Sequence, residues 1–263
     1  MTSLRARIKA PIRQIASTIR RRVTSPNGSS LPPFGPAGPS GSFHHTRKAI
    51  AAAFLRGNGI EIGALNQPLL VPPSTRVTYV DRMTVPELRQ HYPELGGVSL
   101  VDVDVVDDGE RLTTFGEATQ DFVIANHFIE HCQNPLQTFH NLFRVLKPAG
   151  VLYMAVPDKR FTFDIDRPCT PLDHIMRDFE EGPEWSKQQH FEEWCRLINK
   201  ASEADVPGQA RLLIERDSSI HFHVWNAPAV VELLLAFQRI LGFEIELFFR
   251  NGGESLCVLR KPS

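Results

Sequence analysis

The apolar positions of the chain change their period twice. In residues 1–24, Leu4, Ile8, Ile12, Ile15, Ile19 and Val23 recur at steps of three or four with Arg and Lys between them. That is a helical period with a basic opposite face, broken at Pro11. Residues 25–42, "SPNGSSLPPFGPAGPSGS", have no period; Pro, Gly and Ser dominate and mark a linker. From residue 45 onward, short apolar runs alternate with helical stretches. The runs are "GIEIG" (59–63), "VTYVD" (77–81), "VSLVDVDVV" (98–106), "DFVIAN" (121–126) and "GVLYMAVP" (150–157). A helical stretch over 45–56 precedes them. Asn134 and Pro135 start another as cap and first-turn residue, running to about Leu146, where "KPAG" ends it. A helix over about 228–241 leads into two strand-like segments joined by Asn251-Gly252-Gly253, a hairpin turn signal.

This alternation predicts an α/β fold: a Rossmann-like, mainly parallel seven-stranded sheet with helices on both faces and an antiparallel C-terminal hairpin. Residues 1–44 read as a basic arm and linker. Residues 45–263 read as one catalytic domain, with a polar and aromatic substrate or lid insertion at about 158–220.

Composition narrows the function. A chain of 263 residues with 42% hydrophobic residues can bury a full core. Its formal net charge of −1 conceals an asymmetry: residues 1–60 hold ten Lys/Arg and no carboxylate, so all 30 acids follow. An acidic globule argues against a nucleic-acid partner, because phosphate recognition wants positive charge on the folded surface. The arm reads either as a solvated tail or as a peripheral membrane contact. Cys132, Cys169, Cys195 and Cys257 form no CxxC pair, which fits reduced thiols in a cytoplasmic protein. No run approaches the ~18 apolar residues of a membrane span, and the N-terminus lacks the apolar core of a secretory signal.

In open α/β sheets the ligand lies across the carboxyl ends of the strands. Gly63 ends the first run and permits close approach of a ligand. Asp81 follows 18 residues later, the separation at which an acid accepts both hydroxyls of a ribose. Asp104, with Asp107 and Asp108 just beyond, suits the exocyclic amine of an adenine. "NHFIEH", Asn126 to His131, is a polar cluster directly after a buried strand. Taken singly, each position also reads as a turn glycine, a helix cap or a solvated loop acid.

Together, "GIEIG…YVD…DFVIANHFIEHCQNPLQTFHNLFRVLKPAGVLYMAVPD" resembles a class I S-adenosylmethionine-dependent methyltransferase, of the group with an "EH" dipeptide after strand four and "RVLKPGG" after the next helix. The resemblance covers about residues 45–160. It implies S-adenosyl-L-methionine as cofactor, with Glu61 and Gly63 beside its methionine part, Asp81 on the ribose and Asp104 or a neighbouring acid on the adenine. Asn126 and His127 would line the floor near the methyl group. The chain departs from the family at the first turn, where Gly63-Ala64-Leu65-Asn66-Gln67-Pro68 stands for a run with three glycines, and at Ala149, which replaces a glycine.

The insertion resembles a segment of a bacterial subgroup that accompanies glycan-assembly enzymes. It implies a small-molecule, glycan or glycolipid acceptor, methylated at oxygen. Arg160, Asp164, Asp166, Arg167, His174 and His190 are its candidate acceptor contacts, and "IHFHVWN" (220–226) adds His221 and His223. The methyl donor carries its own activation, so a base is needed only where the acceptor must lose a proton. His127, His131, His190 and His223 are candidates: His127 for its position, His190 and His223 for lying in the substrate region. His221 and His223 with Asp164 or His190 could hold zinc. Hydrogen-bonded histidines shaping a pocket are the simpler arrangement, so no metal is expected. Two rival classes exist. A nicotinamide-dependent oxidoreductase would need G-x-G-x-x-G after the first strand, which is absent. A non-catalytic binding module would use the fold in a glycan-assembly complex.

Overall fold

The computed structural model describes residues 41–95 and 97–263; most of the predicted arm and linker lies outside them. Period-two alternation builds the sheet. In β4 (Gln120–Asn126), Val123 and Ala125 face one side, and Phe122 and Ile124 the other. In β5 (Leu146–Pro157), Leu152, Met154 and Val156 join the first face, and Val151 and Tyr153 the second. With β1 (Asn58–Ile62), β2 (Arg76–Asp81), β3 (Val105–Val106), β6 (Glu244–Asn251) and β7 (Glu254–Arg260), these strands form a seven-stranded sheet in the order β3-β2-β1-β4-β5-β7-β6. The first five pair in parallel, while β7 runs antiparallel to both β5 and β6. This is the predicted architecture.

Helices cover both faces. α1 (Gly41–Phe54) lays Ala51, with Leu55 just beyond it, on the Phe122, Ile124 and Tyr153 side. A short α2 (Val85–His91) follows β2. α3 (Pro135–Val145) starts under an Asn134 cap that accepts the Gln137 amide at 3.2 Å, and buries Leu136, Phe139, Leu142 and Phe143 on the opposite face. α7 (Ala227–Leu241) packs on that same face and ends at Gly242, whose φ of 79° permits the left-handed stop.

Two predicted elements differ. The run 98–106 pairs as a strand only at Val105–Val106. Asp104 explains part of this, because its carboxylate takes the Tyr79 amide at 2.8 Å and so replaces a ladder partner on this edge strand. The insertion, expected as a long polar segment, is mostly helical: α4 (Leu172–Glu181), α5 (Glu184–Leu197) and α6 (Val206–Glu215). It has a core of its own, including Phe191, Cys195, Val206, Ala210, Ile220 and Phe222. The described helices include none long and apolar enough to cross a membrane.

Candidate active site

Strand register sets the geometry. Ile62 pairs with Val80, Glu61 with Ile124, and Asp81 with Val106. Gly63, Asp81, Val106 and Asn126 therefore fall in one row along the carboxyl edge. Gly63 sits at φ 63°, and a Cβ built there would meet nothing within 4 Å, so the space before it is open. Asn126, itself half-buried, ends that row with its side-chain amide shielded from solvent and neither the nitrogen nor the oxygen hydrogen-bonded. An open cradle above an orphaned amide is the signature of a site built for a polar ligand. Burial pushes the Asp81 carboxyl up, against the Arg82 and Met83 amides and the Arg82 charge, which favour its ionised form.

Glu61 is placed differently from its expected role. It is 1% exposed, and its carboxylate accepts the Leu69 amide at 2.9 and 3.2 Å. It closes the loop after Gly63 from beneath. Burial drives its carboxyl up to about 7, opposed by the Leu69 amide and the Arg47 charge. Leu65, in the turn after Gly63, holds a left-handed φ of 48°.

Asp104 is not on the edge row. It lies two residues before the row's Val106, with its carboxylate engaged by Tyr79. The acids that follow β3 are Asp107 and Asp108. Asp107 is buried and accepts from Thr113 and Thr114 at 2.6 to 3.1 Å, which stiffens the turn. Asp108 is half-exposed and caps the Glu110 amide at 2.9 Å.

His127 follows Asn126 at φ 49°, a conformation that costs a non-glycine residue about 1–2 kcal/mol. Its side chain is 44% exposed, and its Nε2 lies 2.9 Å from Glu254 Oε2. Arg47 of α1 also binds Glu254, through Nε at 2.9 Å and through its terminal nitrogen. Burial opposes the Glu254 charge, but the bonds from Arg47, His127 and Asn251 outweigh it and hold the carboxyl down at about 2.

The other expected bases are remote from solvent. His223 is 0% exposed and His190 9%. Burial, aided by neighbouring histidines, pushes His190 down to about 3 and His223 well down. Neither can meet an acceptor or take its proton near neutrality, so both are withdrawn as bases. His221 and His223 also part company: His221 Nδ1 meets Asp164 at 2.7 Å and its ring crosses His131, while His223 joins His174 and His190.

The expected acceptor contacts are largely internal. Arg167 is buried between Asp164 at 2.9 Å and Glu193 at 2.8 Å; Asp166 pairs with Lys200 on the surface; Arg160 clamps Asp158, which also accepts the Ala227 amide of α7. The residues that do face solvent next to the carboxyl end of β5 are Phe161, Phe163 and Ile165, at 41, 55 and 57% exposure. Their apolar character between two acids was the available signal, and a search for polar contacts passes over it. The Arg47–Glu254–His127 chain joins residues 207 apart and left no sequence signal.

Residues 57–154 match a family model described as a methyltransferase domain. No curated protein matches the sequence. Among solved structures, a protein from Rhodobacter sphaeroides described as a putative Zn-dependent alcohol dehydrogenase is similar, with a TM-score of 0.52 and 13% identity, over 88% of this chain and 93% of that one. At that identity the likeness is one of fold alone. The 1,6-didemethyltoxoflavin-N1-methyltransferase of Burkholderia thailandensis, solved with 1,6-didemethyltoxoflavin and S-adenosylhomocysteine, has a TM-score of 0.48 and 16% identity, over 100% of this chain and 92% of that one. A SAM dependent methyltransferase from Aquifex aeolicus has a TM-score of 0.41 and 14% identity, over 77% and 80%.

Proposed function

Residues 57–154 belong to the class I S-adenosylmethionine-dependent methyltransferase family, and from that premise we propose that this enzyme methylates a hydroxyl oxygen of a small-molecule, glycan or glycolipid acceptor. The observation that carries the acceptor class is the exposed Phe161, Phe163 and Ile165 beside the carboxyl edge. Apolar side chains left in water at a site mark a surface meant to be covered, and aromatic faces suit the apolar faces of a sugar or an attached lipid.

S-adenosyl-L-methionine, when bound, supplies an activated methyl group. The residues present fit such a group: Gly63 leaves room for it, Asn126 has an amide without a partner, and Asp81 offers a carboxylate level with both. In this reading Asp81 holds the ribose hydroxyls and Asp108 takes over the adenine role expected of Asp104. Glu61 shapes the loop from below without touching the cofactor. Alignment of the acceptor oxygen with the methyl group does most of the work.

His127 is the base in this reading. Donation from Nε2 to Glu254 would leave the lone pair on Nδ1, which lies 3.7 Å from Glu130 Oε1. His221, as enclosed as His190, stands ring to ring with His131 at 4.6 Å and supports the acceptor side from behind. The enzyme is read as cytoplasmic, with its basic arm available to a membrane surface that carries a glycolipid acceptor. Residues 45–263 act as one catalytic domain whose insertion at about 158–220 positions the acceptor.

The test is calorimetry with S-adenosylhomocysteine, followed by labelled methyl transfer to glycan intermediates. Asp81→Ala should abolish binding of the product, and undiminished affinity would remove Asp81 from the site. Stabilisation by NAD in place of either methionine compound would overturn the reading altogether.

A further inference from the structure

Four side chains of the helical insertion and the segment after it converge in a largely buried spot. His174 and Asp178 stand four residues apart on one face of α4, His190 comes from α5, and His223 from the extended stretch before α7. His174 Nε2 lies 3.0 Å from His190 Nε2 and 3.5 Å from Asp178 Oδ2, and His223 Nε2 lies 3.6 Å from that same oxygen. One ligand atom from each histidine falls within 4.8 Å of the others.

We propose that His174, His190 and His223, with the Asp178 carboxylate beside two of them, form a site for a divalent transition metal of the zinc class. The separations carry the geometry. Ligands on a tetrahedral ion at about 2.0–2.1 Å stand about 3.3–3.4 Å apart; the 3.0 Å between His174 and His190 and the 3.5 and 3.6 Å from Asp178 to His174 and His223 lie near that edge, and the three histidines keep one ligand atom each within 4.8 Å of the others. The chemistry agrees: three imidazoles and one carboxylate suit zinc, where an all-oxygen set would suit magnesium or calcium.

Asp178 and His223 are each 0% exposed. Asp178 Oδ2 and both ring nitrogens of His223 have no hydrogen-bond partner of good geometry, although Trp185 neighbours Asp178 and the Gln133 backbone neighbours His223. Buried groups left in that state cost several kcal/mol in total unless something outside the chain satisfies them. The opposite oxygen, Asp178 Oδ1, accepts the buried Ser186 hydroxyl at 3.1 Å, which turns Oδ2 toward the histidines. Such an outer partner is the usual device for aiming a ligating carboxylate.

The placement gives the ion a structural task. It would bind α4 to α5, and both to the stretch whose His223 amide donates to the Glu130 carbonyl after β4, at 3.2 Å. The metal thereby anchors the insertion to the turn that carries His127 and Glu130. Burial at this spot keeps a substrate from the ion, so the ion holds the acceptor side in place and takes no part in transfer.

The experiment is elemental analysis of the full-length protein, loaded with zinc and dialysed, together with the visible spectrum of its cobalt form. It needs neither cofactor nor acceptor, so its outcome is independent of the methyltransferase reading. We expect about one ion per chain and the intense bands of tetrahedral cobalt. Chelation should lower the Tm. Asp178→Asn and His190→Ala, checked for fold by circular dichroism, should each weaken metal binding roughly 100-fold. A wild-type protein that retains no ion would overturn the proposal whatever the variants do. So would weak octahedral cobalt bands, or an ion lost on His131→Ala and kept on Asp178→Asn, which would place it at the Glu130, His131 and His221 cluster.

Discussion

Ala149 and His127 both hold positive φ without being glycine, at 62° and 49°, and for different reasons. Ala149 stands in the turn of "RVLKPAG" where relatives carry glycine, and the backbone has kept the glycine conformation. Ala149→Gly should therefore stabilise the fold by about 0.5–1 kcal/mol, the relief of the left-handed penalty less the entropy glycine adds to the unfolded chain. That corresponds to roughly 1–4 °C in Tm, measurable by calorimetry. His127 gains nothing from its strain except position, and strain of this kind gathers at working sites. His127→Ala should leave cofactor affinity unchanged and lower turnover about 10²–10⁴-fold if it is the base. An equal loss in both would make it a binding residue. The places of Gly63, Asp81 and Asn126 at the strand ends were legible because a strand's apolar run announces its own end. Asp104 was not, because only the pairing of β2 with β3 shows that the edge row passes through Val106 instead.

At the scale of elements, the residues of a motif turn out to be fasteners. Arg144 ends α3, and its guanidinium donates to the carbonyls of Phe115 at 2.8 Å, Leu112 at 2.7 Å and Arg111 at 3.1 Å. It pins the loop between β3 and β4, whose acids lie beside the site. Arg144→Ala would strand those carbonyls and cost about 2–4 kcal/mol. Arg144→Lys should recover only part of this, because a point charge cannot reach three acceptors in a fan. Urea unfolding of the two variants measures the difference. The parallel core was readable because its strands alternate cleanly between the two faces. In α5 the helical period was obscured because Ser186 and His190 face inward beside Phe191 and Cys195, so its polar residues do not mark its surface. A buried polar cluster erases the amphipathic period by which a helix is recognised.

Across the whole molecule, two buried carboxylates respond to pH in opposite directions. Glu254 joins α1, the C-terminal hairpin and the turn after β4 through Arg47 and His127. Its folded pKa of about 2 lies below the ordinary 4.5. Its stabilisation is therefore present above pH 4.5 and is lost as pH falls through 2. Glu254→Gln should cost about 2–3 kcal/mol at pH 7 and little at pH 2. Glu61 has its folded pKa raised to about 7 by burial, so its contribution is complete below pH 4.5 and is lost as pH rises through 7. Wild-type stability should consequently decline between pH 5 and pH 8, and Glu61→Gln should flatten that decline while its amide oxygen still accepts from Leu69. Denaturant midpoints across pH 2–8 for both variants separate the two effects. If Glu61→Gln retains the wild-type slope, the buried carboxylate beneath the Gly63 loop is not its source.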